Sequence, residues 1–276
     1  MTRRTMLAPL LAAVLCLRVP PGFAQQARPF ESADELLTAL ETADEDLRSL
    51  RANIVHTKLF ALAGDYQQRR GSLVYTTIPR QRFAIHFEAM ILDGRVYDSE
   101  KIYIFDGQWL VEKFPSEREF VKTRIVAPGE SFDPLRIGEG PFPVPIGQKR
   151  EEILERFSAE LAEPADGLED EAFQSAARAA VGSGWIQLHL TPTELFAQES
   201  DLTDVRVWYD PDDLLPRMAK TVNEIGDESL VFLYSLEKNT EVDESEFSVE
   251  TPGDDEGWNV TLRDRTGVSS QIEVTP

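Results

Sequence analysis

The sequence predicts an α+β fold: a large, curved, mostly antiparallel sheet with helices covering its concave face. Three observations lead there. One amphipathic helical pattern comes first, period-two apolar alternation dominates the rest of the chain, and turns rich in Asp, Gly and Pro separate the alternating runs.

Ahead of the helix, Arg3 and Arg4 precede an apolar run from Met6 to Leu17, and Gly22 and Ala24 supply the small residues of a signal-peptidase site. Residues 1–24 therefore read as a cleaved secretory signal; the apolar run is too short for the ~20 residues of a span. Cys16, the only cysteine, falls inside that segment, and Leu15 stands where a lipid-attachment motif needs a small residue. The exported chain is expected to have no disulfide, no thiolate metal site and no cysteine nucleophile.

Ser32-Ala33-Asp34-Glu35 is a capping-box pattern. Leu36, Leu40, Ala43, Leu47 and Leu50 follow at spacings of four and three, predicting a helix of about five turns. The period then changes. Strands are expected at Ala52–Leu59, Ser72–Thr76 and Arg82–Glu88, the last alternating Phe83, Ile85 and Phe87 with polar neighbours. Asp106-Gly107 between Ile102–Phe105 and Gln108–Val111 predicts a two-residue hairpin pairing Phe105 with Gln108 and Ile104 with Trp109. Ile102, Ile104, Trp109 and Val111 would share one face, and Tyr103, Phe105 and Leu110 the other. A hairpin apolar on both faces is expected to be covered on both. Glu119–Val126 continues the sheet.

Gly138–Gly147 alternates proline with apolar residues, which favours polyproline II and excludes a central strand. Lys149–Leu161 reads as an amphipathic helix, and Pro164–Gly184 as an acidic, alanine-rich excursion. Strands resume at Gly184–Pro192, Asp204–Tyr209, Arg217–Val222 and Ser229–Leu236, with a short last one at Phe247–Val249. The organisation is thus a signal (1–24), one domain (25–252) with an insert at about 138–184, and a polar tail (253–276), within which Trp258–Leu262 has the pattern to pair.

The chain carries 28 basic and 49 acidic residues, a net charge of −21. Loss of the signal removes Arg3, Arg4 and Arg18 and no acid. This charge argues against nucleic acid and anionic membrane surfaces as partners. No metalloprotease, nucleophile-elbow, phosphate-loop or dinucleotide motif is present, and His56, His86 and His189 are isolated from one another in sequence. Neither an enzyme nor a bound cofactor or metal is expected. Apolar strands on both faces, with amphipathic helices, suggest a sheet enclosing a cavity; the same pattern also describes a sheet-and-helix core without one.

Gly71-Ser72-Leu73-Val74-Tyr75-Thr76-Thr77-Ile78-Pro79-Arg80-Gln81-Arg82-Phe83, the strand before Asp106-Gly107 with Trp109, Val205–Tyr209 with Asp210-Pro211, Leu215-Pro216, Gly226 before a strand, and Phe247 with Thr251-Pro252 resemble the outer-membrane lipoprotein carrier family, LolA. The resemblance covers roughly residues 30–135 and 185–252. It implies an incomplete β-barrel around a helical lid, binding acyl chains of lipoproteins in the periplasm. It further implies a monomer that is loaded by an inner-membrane release complex and unloaded at an outer-membrane acceptor. The cavity wall would include Leu73, Tyr75, Phe83, Ile85, Phe87, Ile104, Trp109, Trp185 and Leu188. The family often has arginine directly before the strand-ending proline; this chain has Ile78, which leaves Arg80 and Arg82 as lid-latch candidates. A periplasmic lipid- or lipoprotein-sensing module is the alternative function.

Overall fold

The computed structural model describes residues 29–92, 94–127, 135, 137, 142, 146, 147 and 149–264. The predicted signal segment, most of the proline-rich stretch and residues 265–276 lie outside the described residues. The strands are β1 (Ser49–Phe60), β2 (Asp65–Thr76), β3 (Arg82–Leu92), β4 (Arg95–Phe105), β5 (Trp109–Phe114), β6 (Glu119–Arg124), β7 (Phe157–Ala162), β8 (Ile186–Pro192), β9 (Leu202–Tyr209), β10 (Pro216–Asn223), β11 (Glu228–Lys238) and β12 (Asn259–Asp264). The helices are α1 (Ala33–Asp44), α2 (Arg150–Arg156) and α3 (Gln174–Ser183).

The expected fold class is the fold found. Among the described residues, twelve strands form one sheet in the order β12-β6-β5-β4-β3-β2-β1-β11-β10-β9-β8-β7. Every pairing is antiparallel except β12 with β6. The β7 and β12 edges do not pair with each other, so the sheet stays open. At Gly71, where the β2–β3 register slips, an added Cβ would sit 1.8 Å from the His86 carbonyl oxygen, so only glycine lets the two backbones approach.

Both faces are covered. The inner face carries α1, whose Leu36, Leu37 and Leu40 pack with Leu188, Leu190, Val205 and Val207. Ser32 caps α1 by accepting from the Glu35 amide, and the Glu35 carboxylate accepts from the Glu31 amide. The α2 amide of Arg150 donates to Glu41 of α1 at 2.8 Å, tying the two helices together. The outer face carries α3, packed on Trp208, Met218 and Leu230. Further along, it carries a C-terminal strap of 239–258 that seats Phe247, Val249 and Trp258 on Val74, Ile104 and Val111.

Several local expectations change. Helix α1 ends at Asp44 rather than running through Leu50, because Ser49–Phe60 is recruited between β2 and β11. The second helix stops at Arg156, since Phe157–Ala162 pairs with β8 and sheet hydrogen bonds replace helical ones. The acidic excursion contains α3. Residues around Phe247 form a 3-10 turn, Glu244–Phe247, in place of a strand. In the predicted hairpin, Ile104 pairs with Val111 and Phe105 with Leu110. The register is two residues wider than expected because the Asp106 carboxylate accepts from the amides of Gln108 and Trp109, enlarging the turn. A slip of two preserves which side chains share a face.

Candidate functional site: the inner face of the sheet

Cross-strand register defines the inner face. Leu50 lies opposite Tyr75, Tyr75 opposite Phe83, Phe83 opposite Phe105 and Phe105 opposite Leu110. One level along, Ala52, Leu73, Ile85 and Tyr103 repeat the alignment. On the other side of β1, Ile54 meets Leu233 and His56 meets Val231. Val231 then meets Ala219, Ala219 meets Val207 and Val207 meets Leu188. A continuous apolar floor therefore runs from β5 to β8.

Of the nine predicted wall residues, six lie on this floor. Leu73, Tyr75, Phe83, Ile85 and Phe87 form one cluster and Leu188 its extension under α1; all are essentially inaccessible to solvent. Ile104, Trp109 and Trp185 point the other way. Ile104 packs under Phe247 of the strap, Trp109 is flanked by the Lys122 and Arg124 cations, and Trp185 packs in the α3 cluster. Alternation specifies parity without specifying which side is inside. The inner side of the β4–β5 hairpin is Tyr103, Phe105 and Leu110. His56 also belongs to the floor, with its ring 6.1 Å from that of Phe87.

The floor is filled. Alongside α1, the side chains of Val126, Leu135, Phe142 and Ile146 are buried against it. The Phe142 ring sits 5.5 Å from His56, 5.7 Å from Phe87 and 5.0 Å from Tyr103. The proline-apolar alternation of residues 138–147 is the signal that hinted at this filling. An open cleft of about 930 Å³ lies elsewhere, lined by Phe30, Leu161, Trp185, Ile186 and Pro211.

The electrostatics of the floor follow from burial. The His56 imidazole is held down at about 4 by burial, with lesser repulsion from Lys58 and Arg69, and its Nε2 lies 2.8 Å from Ser229 Oγ. It is neutral at neutral pH. Burial pushes Tyr103 up, and it also pushes up Glu112, which lies opposite Tyr103. Among the described residues no group of three or more His, Cys, Asp or Glu is placed to hold a metal ion.

Of the two latch candidates, Arg82 serves the outer face. The Arg82 guanidinium pairs with Glu244, donates to the Ile78 carbonyl at 2.6 Å and lies 4.6 Å from the Phe247 ring centre. It clasps the strap and stands on the face opposite α1. Arg80 is exposed and lies across Gly107 in the β4–β5 turn.

No protein-family model and no curated protein matches the chain. Solved structures do align. An uncharacterised conserved protein from Thermus thermophilus aligns at 10% identity and TM-score 0.45, over 84% of this chain and 99% of its own. A putative outer membrane lipoprotein-sorting protein domain from Vibrio parahaemolyticus aligns at 12% and 0.36, over 78% and 95%. A LolA superfamily protein from Nitrosomonas europaea aligns at 10% and 0.33, over 79% and 97%.

Proposed function

We propose that this protein is a periplasmic carrier that binds the acyl chains of lipids or lipoproteins on the inner face of its sheet and passes them towards the outer membrane. The observation that supports it is the floor from Leu110 through Phe105, Phe83, Tyr75 and Leu50 to Leu233. It is apolar over many strands and covered in part by side chains such as Phe142 that belong to no strand or long helix. Transferring each CH₂ of an acyl chain from water onto such a floor gains about 0.8 kcal/mol, so apolar complementarity supplies affinity without directional chemistry. The filling side chains give way as the acyl chain enters, and their return drives its release. Loading by an inner-membrane complex and unloading at an outer-membrane acceptor complete the cycle, as the LolA resemblance implies.

Native mass spectrometry of the protein purified from a periplasm tests this reading. An added mass matching an acylated molecule, lost on denaturation, supports it. A bare protein mass that stays unchanged after incubation with acylated ligands overturns it. Ile85→Glu places a charge in the middle of the floor; a variant that folds and still binds acyl ligand normally removes this face from the mechanism.

A further inference from the structure

Past its aromatic end, the floor becomes cationic. Arg69 on β2 lies directly opposite His56, Lys101 on β4 lies opposite Phe87, and Lys58 is two residues beyond His56 on the same face of β1. These three cations sit on the same side of a four-strand stretch, Lys101 level with Phe87 and Arg69 and Lys58 successively nearer the hairpin tips. All three are half-buried.

None of the three is in an ion pair among the described residues. The Arg69 guanidinium donates only to neutral acceptors, the Ser99 carbonyl at 3.2 Å, Ser99 Oγ at 3.3 Å and Met90 Sδ at 3.4 Å. The Lys101 ammonium rests 4.6 Å from the Phe114 ring centre and that of Lys58 5.1 Å from Phe60. Elsewhere, Arg51, Arg124, Arg150, Arg206, Arg217 and Lys220 each hold a carboxylate. What sets Lys58, Arg69 and Lys101 apart is that three half-buried cations without an ion pair share one face of the sheet.

The cost of this arrangement is visible at Arg69 and Lys101. Burial lowers Arg69 and Lys101 below their ordinary values, and Arg69 lowers Lys101 further. Glu117 acts on both, and Glu112 and Glu119 act on Lys101, offsetting part of this cost without forming a contact. Half-buried cations that repel each other are stabilised when an anion arrives.

We propose that Lys58, Arg69 and Lys101 form a site for the phosphate head group of a lipid whose acyl chains lie along the floor. This rests on the acyl-binding reading above and adds the ligand's polar end. From Arg69 to Tyr75 the face runs about 20 Å at the rise of a strand, enough for the roughly 15 Å of one hydrocarbon leaflet. The cations lie at the end of the sheet where hairpin tips expose Leu62, Val96 and Ile225, so a lipid entering there meets apolar side chains first. The strongly negative net charge governs long-range approach to a membrane; a single phosphate on the floor would lie against Lys58, Arg69 and Lys101, whose attraction Glu112, Glu117 and Glu119 offset in part.

The test measures binding of phosphatidic acid and of diacylglycerol with the same acyl chains to the full chain, and to Arg69→Gln and the triple variant Lys58→Gln/Arg69→Gln/Lys101→Gln. The wild type is expected to prefer phosphatidic acid by about tenfold or more, as charge-assisted hydrogen bonds predict. The preference is expected to shrink in Arg69→Gln and to approach one in the triple variant. Equal binding of the two lipids by the wild type overturns the head-group site and leaves acyl binding standing. A preference that persists in the triple variant overturns it too, as does inorganic phosphate competing as well as the lipid does. The comparison within the wild type decides even if the triple variant does not fold. Failure of both lipids to bind overturns the acyl-binding reading itself.

Discussion

The ring of Phe142 meets that of Tyr103 edge-on, at 5.0 Å between centres and 85° between planes. Tyr103 belongs to the sheet, whereas Phe142 comes from the proline-rich stretch between β6 and α2. An acyl chain bound on the floor as proposed would compete with Phe142 for the same volume. Phe142→Ala is therefore expected to destabilise the protein by about 3 kcal/mol while raising affinity for an acyl probe, because the cost of displacing the ring is gone. Thermal unfolding and a fluorescent acyl-chain titration measure the two effects. A lower or unchanged affinity places the acyl chain elsewhere.

Ile85 and Ile104 separate the faces. Both are buried, Ile85 on the floor and Ile104 beneath Phe247. Each substitution to Ala is expected to cost about 2–4 kcal/mol, but only Ile85→Ala changes the acyl-probe titration. Equal effects of the two on binding contradict the assignment of the inner face.

Arg82 clasps the strap. Arg82→Ala removes the pair with Glu244, the hydrogen bond to the Ile78 carbonyl and the contact with Phe247. The expected loss is on the order of 1–2 kcal/mol, with faster amide exchange across Glu244–Phe247 and little change across α1. Faster exchange in α1 would show that Arg82 latches the inner lid after all.

Acid weakens the fold in two stages. His56 titrates at about 4 when folded and near 6.5 when unfolded, so the unfolded chain takes up the proton first. Its contribution is complete above about pH 6.5 and declines as pH falls towards 4. Glu246, hydrogen-bonded by Arg51 at 2.6 and 2.9 Å, is held below the ordinary carboxylate value; its contribution is present above that value and is lost as pH falls through the lowered one. Urea unfolding from pH 7 to pH 4 is expected to show falling stability, with the upper part of the slope absent in His56→Gln. An identical slope in the variant assigns the acid sensitivity to other groups.

Much of the architecture was legible in the chain. Ser32 before the Leu36–Leu40 spacing marks the start of α1, and alternation through Phe83, Ile85 and Phe87 marks β3. The apolar pattern of Trp258–Leu262 foreshadows β12, and the two apolar sides of the Ile102–Val111 hairpin foreshadow cover on both. These are short-range properties: a cap, a period and a turn depend on residues a few positions apart. Tertiary structure decided the rest. Phe157–Ala162 has helical spacing yet is a strand, because β8 offers it a ladder. Ile104, Trp109 and Trp185 are as apolar as Phe83 but face outwards, because the strap and α3 lie over that side. Phe142 fills the floor from nearly forty residues beyond Tyr103, and Arg69, Lys101 and Lys58 meet only through the register of four strands. Parity along a strand is local, whereas the choice of inner face depends on which distant segments cover each side.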